Sequence, residues 1–471
     1  MADDGRIIFW HRNDLRTRDN RGLVDAAARG TVVPVFCLDD ALLEVAGAAR
    51  VSFMLEALRD LQSWYRERGS DLLLVRADPT DAIPALAGDH DAEAVVWNEG
   101  YSGYAQTRDE AVADALFASG IDTGRVDDRY LHRPGDIRTN AGEPYSVFTY
   151  FWKKWRDREP RSSVDAPPTD RLADVSGPEV PTLATLGFNE PTASVLTGTI
   201  GAAEQRLTSF LAGPVYDYEQ RRDRPAAKGT ARLSQDLSFG LLGIRDVFER
   251  TEAARTDAPD EAASASVVEF QRQLAWREFY GQVLAFAPET VSENHTSFEH
   301  PIEWRNDPEE IRAWREGETG YPFVDAGMRQ LRREGHIHNR PRMVVAAFLT
   351  KDLLTDWRIG YRWFRRHLVD HDTANDVGGW QWAASTGTDA HPYFRVFNPT
   401  TQGERYDPDA EYVREYVPEL RGVSPELIHS WPDLADEDRQ STAPEYPAPI
   451  VDHASRRDAA IDAFERARGD D

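Results

Sequence analysis

VVPVFCLDDALLEVAGAARVSFMLEALRDLQSWYRERGSDLLLV, residues 32–75, decides the fold of the first part of the chain. VVPVFCL (32–38) and DLLLV (71–75) are short apolar runs with β-branched residues, the composition of strands buried on both faces. Between them Val51, Met54, Leu55, Leu58 and Tyr65 fall on one face of a helical pattern. Two strands joined by a helix pair in parallel, because a parallel neighbour requires a crossover. Outward from this unit, Arg6–Trp10 and Ala94–Trp97 repeat the strand signature. The first 130 or so residues therefore predict an α/β domain with a doubly wound parallel sheet. Neither GxGxxG nor GxxxxGK[ST] follows any of these strands, so a dinucleotide fingerprint or a P-loop has no support there.

Further along, six prolines fall between Pro160 and Pro191 and periodicity fades, which predicts a long connection. From about residue 203 the patterns are helical almost throughout, with acidic, Ala/Ser-rich Thr251–Ser266 expected as a surface loop. The expected organisation is an α/β domain over 1–130, a connection over 131–202 and an all-α domain over 203–471. No internal repeat interrupts it.

Composition narrows the class. Hydrophobic residues make up 41% and charged residues 29%, a globular balance. No apolar run approaches the roughly 18 residues a membrane span needs. The acidic start MADDGRIIFW is unlike a signal peptide. Cys37 is the single cysteine, so no intramolecular disulfide forms, and a cytoplasmic setting is expected. Net charge is −26, from 81 acids against 55 bases, and only Lys153, Lys154, Lys228 and Lys351 among the bases are lysines. An acid-rich, arginine-for-lysine surface points to a cell interior of high salt, where screening tolerates such charge. Any nucleic-acid site must then be a local patch.

Arg329–His367 is such a patch in sequence, with ten arginines and lysines against three acids. Within it, HIHNRPRMVVAAFL (336–349) predicts a helix start: Asn339 as cap, Pro341 in the first turn, and Arg340 and Arg342 at the positive end of the dipole. His336 and His338 lack a third partner of suitable spacing, so no metal site is expected. KGTARLSQDLSFG (228–240) leads a polar Gly-containing loop into a helix with Ser234 as cap, a place where backbone N–H groups can hold a diphosphate. Thirteen tryptophans are unusual; Trp276, Trp304, Trp357, Trp380 and Trp382 lie in the helical half, where core packing is the default role.

GGWQWAASTGTDAHPYFRVFNPTTQGERYDPDAEYVREYVPELR (378–421) resembles the cryptochrome/photolyase family. FWHRNDLRTRDN (9–20), PYSVFTYFWKKW (144–155), QLAWREFY (273–280), TGYPFVDAGMRQL (319–331) and FLTKDLLTDWR (348–358) resemble it too, nearly end to end, and the branch most like this chain is the microbial class I cyclobutane pyrimidine dimer photolyases. The resemblance implies an N-terminal α/β antenna domain and a helical domain holding a U-shaped FAD. By motif, Tyr218, the run Thr230, Ala231, Arg232, Leu233 and Ser234, and Arg277 correspond to phosphate-side contacts. Asn339, Arg342, Asp370, Asp372 and Asp376 correspond to contacts along the flavin, with Arg342 and Asp370 as an ion pair. Trp380, Trp357 and Trp304 match the family's electron relay. Gln273, Trp276, Asn339, Arg340, Met343, Trp382 and Gln402 match contacts to the DNA lesion. The implied partner is UV-damaged DNA, bound by a monomer with no membrane and no obligate protein partner.

Three positions depart from the family pattern. Gln273 stands where the bacterial enzymes carry a glutamate, so it can donate a hydrogen bond but not a proton. Asp376 stands where class I photolyases carry an asparagine, as in plant cryptochromes, and keeps open the alternative of a blue-light photoreceptor without repair activity. HNRPRM (338–343) lacks the paired histidines usual in enzymes of the (6-4) lesion, which favours the cyclobutane dimer. In the antenna domain, Phe36, Cys37, Leu38 and Arg50 match the branch that binds 8-hydroxy-5-deazaflavin. Ala105 replaces the acid of the folate (MTHF) branch, which makes folate the second choice, and Ser238 replaces a lysine common in the deazaflavin branch.

Overall fold

The computed structural model describes residues 5–469. Five parallel strands, β1 (Arg6–His11), β2 (Thr31–Leu38), β3 (Leu73–Arg76), β4 (Ala92–Asn98) and β5 (Asp122–Val126), form one sheet in the order β3-β2-β1-β4-β5. Alternate side chains feed two separate cores. Ile7 and Phe9 pack with Leu23 and Ala26 of α1 (Arg21–Arg29) and with Val51, Leu55 and Leu58 of α2 (Ala48–Arg66). Ile8 and Trp10 pack on the other face with Ile83 of α3 (Pro79–Asp89) and with Val112 and Leu116 of α4 (Gly103–Ala118). With both faces covered, β1 and β2 show no polar alternation, as parallel strands should. The expected doubly wound sheet is present, with β5 as a strand the sequence pattern did not disclose. Strand order reverses between β1 and β4, which opens a crevice beyond their carboxyl ends.

The rest is helical: α5 (Phe148–Asp157), α6 (Ser234–Phe239), α7 (Ile244–Thr256), α8 (Glu261–Phe286), α9 (Pro322–Glu334), α10 (Asn339–Ala347), α11 (Trp357–His367), α12 (Thr373–Ala384) and α13 (His453–Arg468) carry the features used below. The loop expected over Thr251–Ser266 shrinks to residues 257–260. Asp260 caps α8 by accepting from Ala263 N at 2.8 Å, and the Ala/Ser run behind it is good helix material. Residues 131–202 are not wholly irregular either, since α5 packs on α8. No helix among the described residues is long and apolar enough to cross a membrane.

Arg245, fully buried at the start of α7, joins the halves. It donates to Asp19 Oδ1 at 2.6 Å and pairs with Asp128, which also pairs with Arg16. Asp19 follows β1 and Asp128 follows β5, so these paired charges replace water at the contact between sheet and helices.

Candidate active site

Arg342 in the first turn of α10 is the hub of a buried charge cluster. Its Nη2 donates to both oxygens of Asp370 at 3.2 and 3.1 Å, and its Nη1 to Asp376 Oδ1 at 3.4 Å. The other oxygen of Asp376 lies 2.5 Å from His371 Nδ1. Against the cost of burial, Arg342 holds the Asp370 carboxyl below its usual range, while burial pulls His371 down. The expected Arg342–Asp370 ion pair is thus formed, and His371 is a member that sequence reasoning missed. Asp372 accepts from Asn375 N at 3.0 Å as the cap of α12 and pairs with Arg129; the cations Arg129 and Arg277 outweigh burial and hold it well below the carboxylate range. Arg277 of α8 donates to the carbonyls of Arg129 and Leu237 at 3.0 and 3.3 Å, which links it to α6 itself.

In the run before α6, Arg232 takes a left-handed conformation (φ 52°) and donates to Glu334 Oε2 at 3.1 Å. Leu233 is buried in the core, Thr230 and Ala231 are half-buried, and Ser234 is exposed. Ser234 is not the cap expected of it: α6 begins with Ser234 itself, and its hydroxyl helps hold the Asp370 carboxyl down. Tyr218 is buried against Phe210 and Phe270, and burial pushes its phenol up to about 12. Asn339 is likewise not the cap of α10. His338 is, its Nδ1 accepting from Arg340 N at 3.2 Å, because burial holds its ring near a pKa of about 4 and leaves a lone pair free.

A second group gathers where α8 and α12 cross. A side chain on Gly378 would collide with the Tyr280 ring, so only glycine lets the two helices meet there. One turn away on each helix lie Trp276 and Trp382, both half-buried. Phe148 stacks on Trp276, and Trp382 packs on His391 and Phe397. Gln273, one turn before Trp276, donates to Glu269 Oε1 at 3.0 Å. Asn339 is exposed with its amide 3.6 Å from Met343 Sδ, and Arg340 pairs with Asp223 at 2.9 Å and covers the Tyr406 ring. Gln402 Oε1 is buried without a partner among the described residues.

Trp380 of α12 and Trp357 of α11 are buried in one core, against which the half-buried Trp304 packs. Trp380 lies over Gly360, one turn after Trp357, where any Cβ would collide with its ring. Trp304 meets Phe464 of α13 at 6.0 Å.

The basic stretch Arg329–His367 does not form one groove. Arg329 pairs with Glu419, Lys351 is buried against the Phe464 ring, Arg358 pairs with Asp356, and Arg342 belongs to the buried cluster. Sequence proximity overstated the patch because helical turns send these bases to different faces.

The crevice at the strand ends holds a cavity of about 260 Å³ that reaches from Trp10, Phe36 and Cys37 across Arg50, Ala105 and Tyr101 to Arg277 and His371. Of the expected antenna residues Phe36, Cys37 and Arg50 line it; Leu38 does not, being turned into the core beside α2. Ala105 lies in the first turn of α4, and Ser238 donates to the carbonyl of His371 at 2.7 Å.

Comparison with known proteins agrees over the full length. The model of the DNA photolyase family matches residues 7–170, and that of the FAD binding domain of DNA photolyase matches residues 270–466. A deoxyribodipyrimidine photo-lyase of Halobacterium salinarum is 56% identical over 98% of this chain and 100% of its own. A bacterial class III photolyase from Agrobacterium tumefaciens superposes with a TM-score of 0.92 at 34% identity, covering 100% of this chain and 99% of that one. An archaeal photolyase from Sulfolobus tokodaii, solved with two FAD molecules, gives 0.83 at 31% identity over 98% and 100%. The chain belongs to the DNA photolyase family.

Proposed function

We propose that the protein is a deoxyribodipyrimidine photolyase, which uses light to split cyclobutane pyrimidine dimers in DNA. The observation that carries this is the pair of half-buried indoles, Trp276 and Trp382, held one turn from the Gly378–Tyr280 crossing. A dimer is poorly stacked, so extruding it costs only a few kcal/mol. Stacking on aromatic rings returns about 1–3 kcal/mol per base. Gln402 Oε1 offers an unused acceptor for a pyrimidine N–H, and Gln273, Asn339, Arg340 and Met343 complete the contacts.

The residues fit FAD. Arg232 Nε, Arg342 Nε and His336 Nδ1 are buried without partners among the described residues, beside the proposed cradle, and such groups are costly unless a ligand meets them. Tyr218, Thr230 to Ser234 and Arg277 would hold its phosphate side, and Asn339, Arg342, Asp370, Asp372 and Asp376 its flavin side. When bound and reduced, FAD supplies the light-absorbing group and the electron. Trp304, Trp357 and Trp380 would conduct electrons inward from the surface. In this assignment residues 1–130 hold the antenna, 131–202 connect, and 203–471 hold flavin and lesion. The antenna assigned to the cavity is 8-hydroxy-5-deazaflavin, supported by Phe36, Cys37 and Arg50 in its lining, with folate second since Ala105 supplies no acid.

One observation favours a photoreceptor without repair: Asp376 is a carboxylate bonded to Arg342 and His371. One experiment separates the two. The flavin-loaded protein, purified in high salt and reduced, is illuminated with separate cyclobutane and (6-4) oligonucleotides. Restoration of the cyclobutane substrate alone is expected; its persistence under light would refute the repair function.

A further inference from the structure

Three arginines lining the cavity, Arg50, Arg277 and Arg365, have no carboxylate partner among the described residues, in a chain with 81 acids, and of these Arg277 is assigned to the FAD side. Arg365, near the end of α11, makes no hydrogen bond or ion pair among the described residues, and its Nε is buried. Arg50, in the first turn of α2, donates once among the described residues, to the carbonyl of Val45 at 3.3 Å, and its Nη1 is buried with no partner among them.

The fold brings them together through Gly47. Any Cβ there would collide with the carbonyl of Arg366, so the absence of a side chain lets the start of α2 rest on the end of α11. Arg365 is the strongest charge acting on Arg50, and after burial its repulsion helps pull Arg50 down to about 10. Asp376 acts on Arg50 from further off without forming an ion pair. Gly47 provides no side-chain cap, so the positive end of the α2 dipole adds to the same field. Two unpaired guanidinium groups held against their mutual repulsion are the signature of an absent anion, and the planar fork of arginine suits phosphate.

We infer that Arg50 and Arg365 form a phosphate subsite of the antenna cavity, so that the chromophore is taken as a nucleotide, phosphorylated on its ribityl chain. The inference rests on the antenna assignment above and adds what that leaves open, namely which chemical form of the chromophore is selected. The ring occupies the aromatic and apolar part near Phe36, and the phosphate lies toward α11.

The test uses FAD-loaded protein titrated at fixed high salt with 8-hydroxy-5-deazaflavin and with its 5′-phosphate, followed by chromophore fluorescence. The phosphorylated form is expected to bind at least about tenfold more tightly, since charge-assisted hydrogen bonds are the strong ones. Arg365→Gln should bring the two forms to near-equal affinity without changing the unphosphorylated one, and Arg365→Lys should keep part of the preference. Melting temperature reports whether each variant is folded. Equal affinities in the unaltered protein, or a parallel loss of both in Arg365→Gln, would overturn the subsite while leaving the antenna standing. Binding of neither form would overturn both.

Discussion

Phe148 and Trp276 lie face to face, with ring centroids 3.6 Å apart and planes inclined by 11°. Phe148 thus covers one side of an indole assigned to the lesion. Phe148→Leu should keep most of the volume and remove the stack, worth about 0.5–1.5 kcal/mol. Affinity for a dimer-containing oligonucleotide should fall by roughly three- to tenfold, while undamaged DNA binds as before, in a fluorescence-anisotropy titration.

Gly360 carries the Trp380 ring on its bare Cα. Gly360→Ala should push that ring away and cost about 1–3 kcal/mol through overpacking. Light-driven reduction of the oxidised cofactor should slow markedly, as followed by absorbance. Repair by chemically reduced protein should change little, because it does not draw on the relay.

Gln273 is held by Glu269 at 3.0 Å. In Gln273→Glu two carboxylates meet, and their repulsion raises the pKa of the new acid. It should keep its proton to higher pH and serve as a proton source beside the lesion. The repair quantum yield should rise, and the gain should fade as pH increases through the raised pKa. An unchanged yield would show that the amide serves equally well.

His338 caps α10 as a neutral ring, pushed down to about 4 by burial from an ordinary 6.5. With the folded value below the unfolded one, the unfolded chain takes up the proton first as pH falls. The stabilisation is therefore full above about 6.5 and is lost progressively towards 4. His338→Asn keeps a capping group and removes the titration. Its denaturant-unfolding free energy should vary less between pH 7 and 5, by about 1–2 kcal/mol.

Much of the fold was legible because the strands that matter are buried on both sides. Ile7 to Trp10 and Val32 to Leu38 have nowhere polar to face, so their runs are continuous. DTGRV (122–126) escaped notice because β5 is an edge strand, mostly exposed, and joins through its backbone. In the site, Arg342 and Asp370 were legible through the family resemblance. Arg129, which pairs with Asp372 from far away in sequence, was not, since no local pattern couples them. Arg365 was hidden inside a basic run that suggested a surface groove, and Phe148 inside a stretch expected to be connecting chain. Side-chain caps were misassigned at Asn339 and Ser234 because residue type says what can cap, whereas the neighbouring burial and partners decide what does.

Arg245 has consequences for how this architecture can be rearranged. Its guanidinium is supplied by the helical half and both its counter-charges by the sheet half. Losing both acids strands a buried ion at a cost of about 3–5 kcal/mol. A chimaera that borrows the sheet portion of a relative, to install a different pigment for instance, must bring acids equivalent to Asp19 and Asp128 with it. Grafts that omit them should misfold however well the borrowed cavity suits its dye.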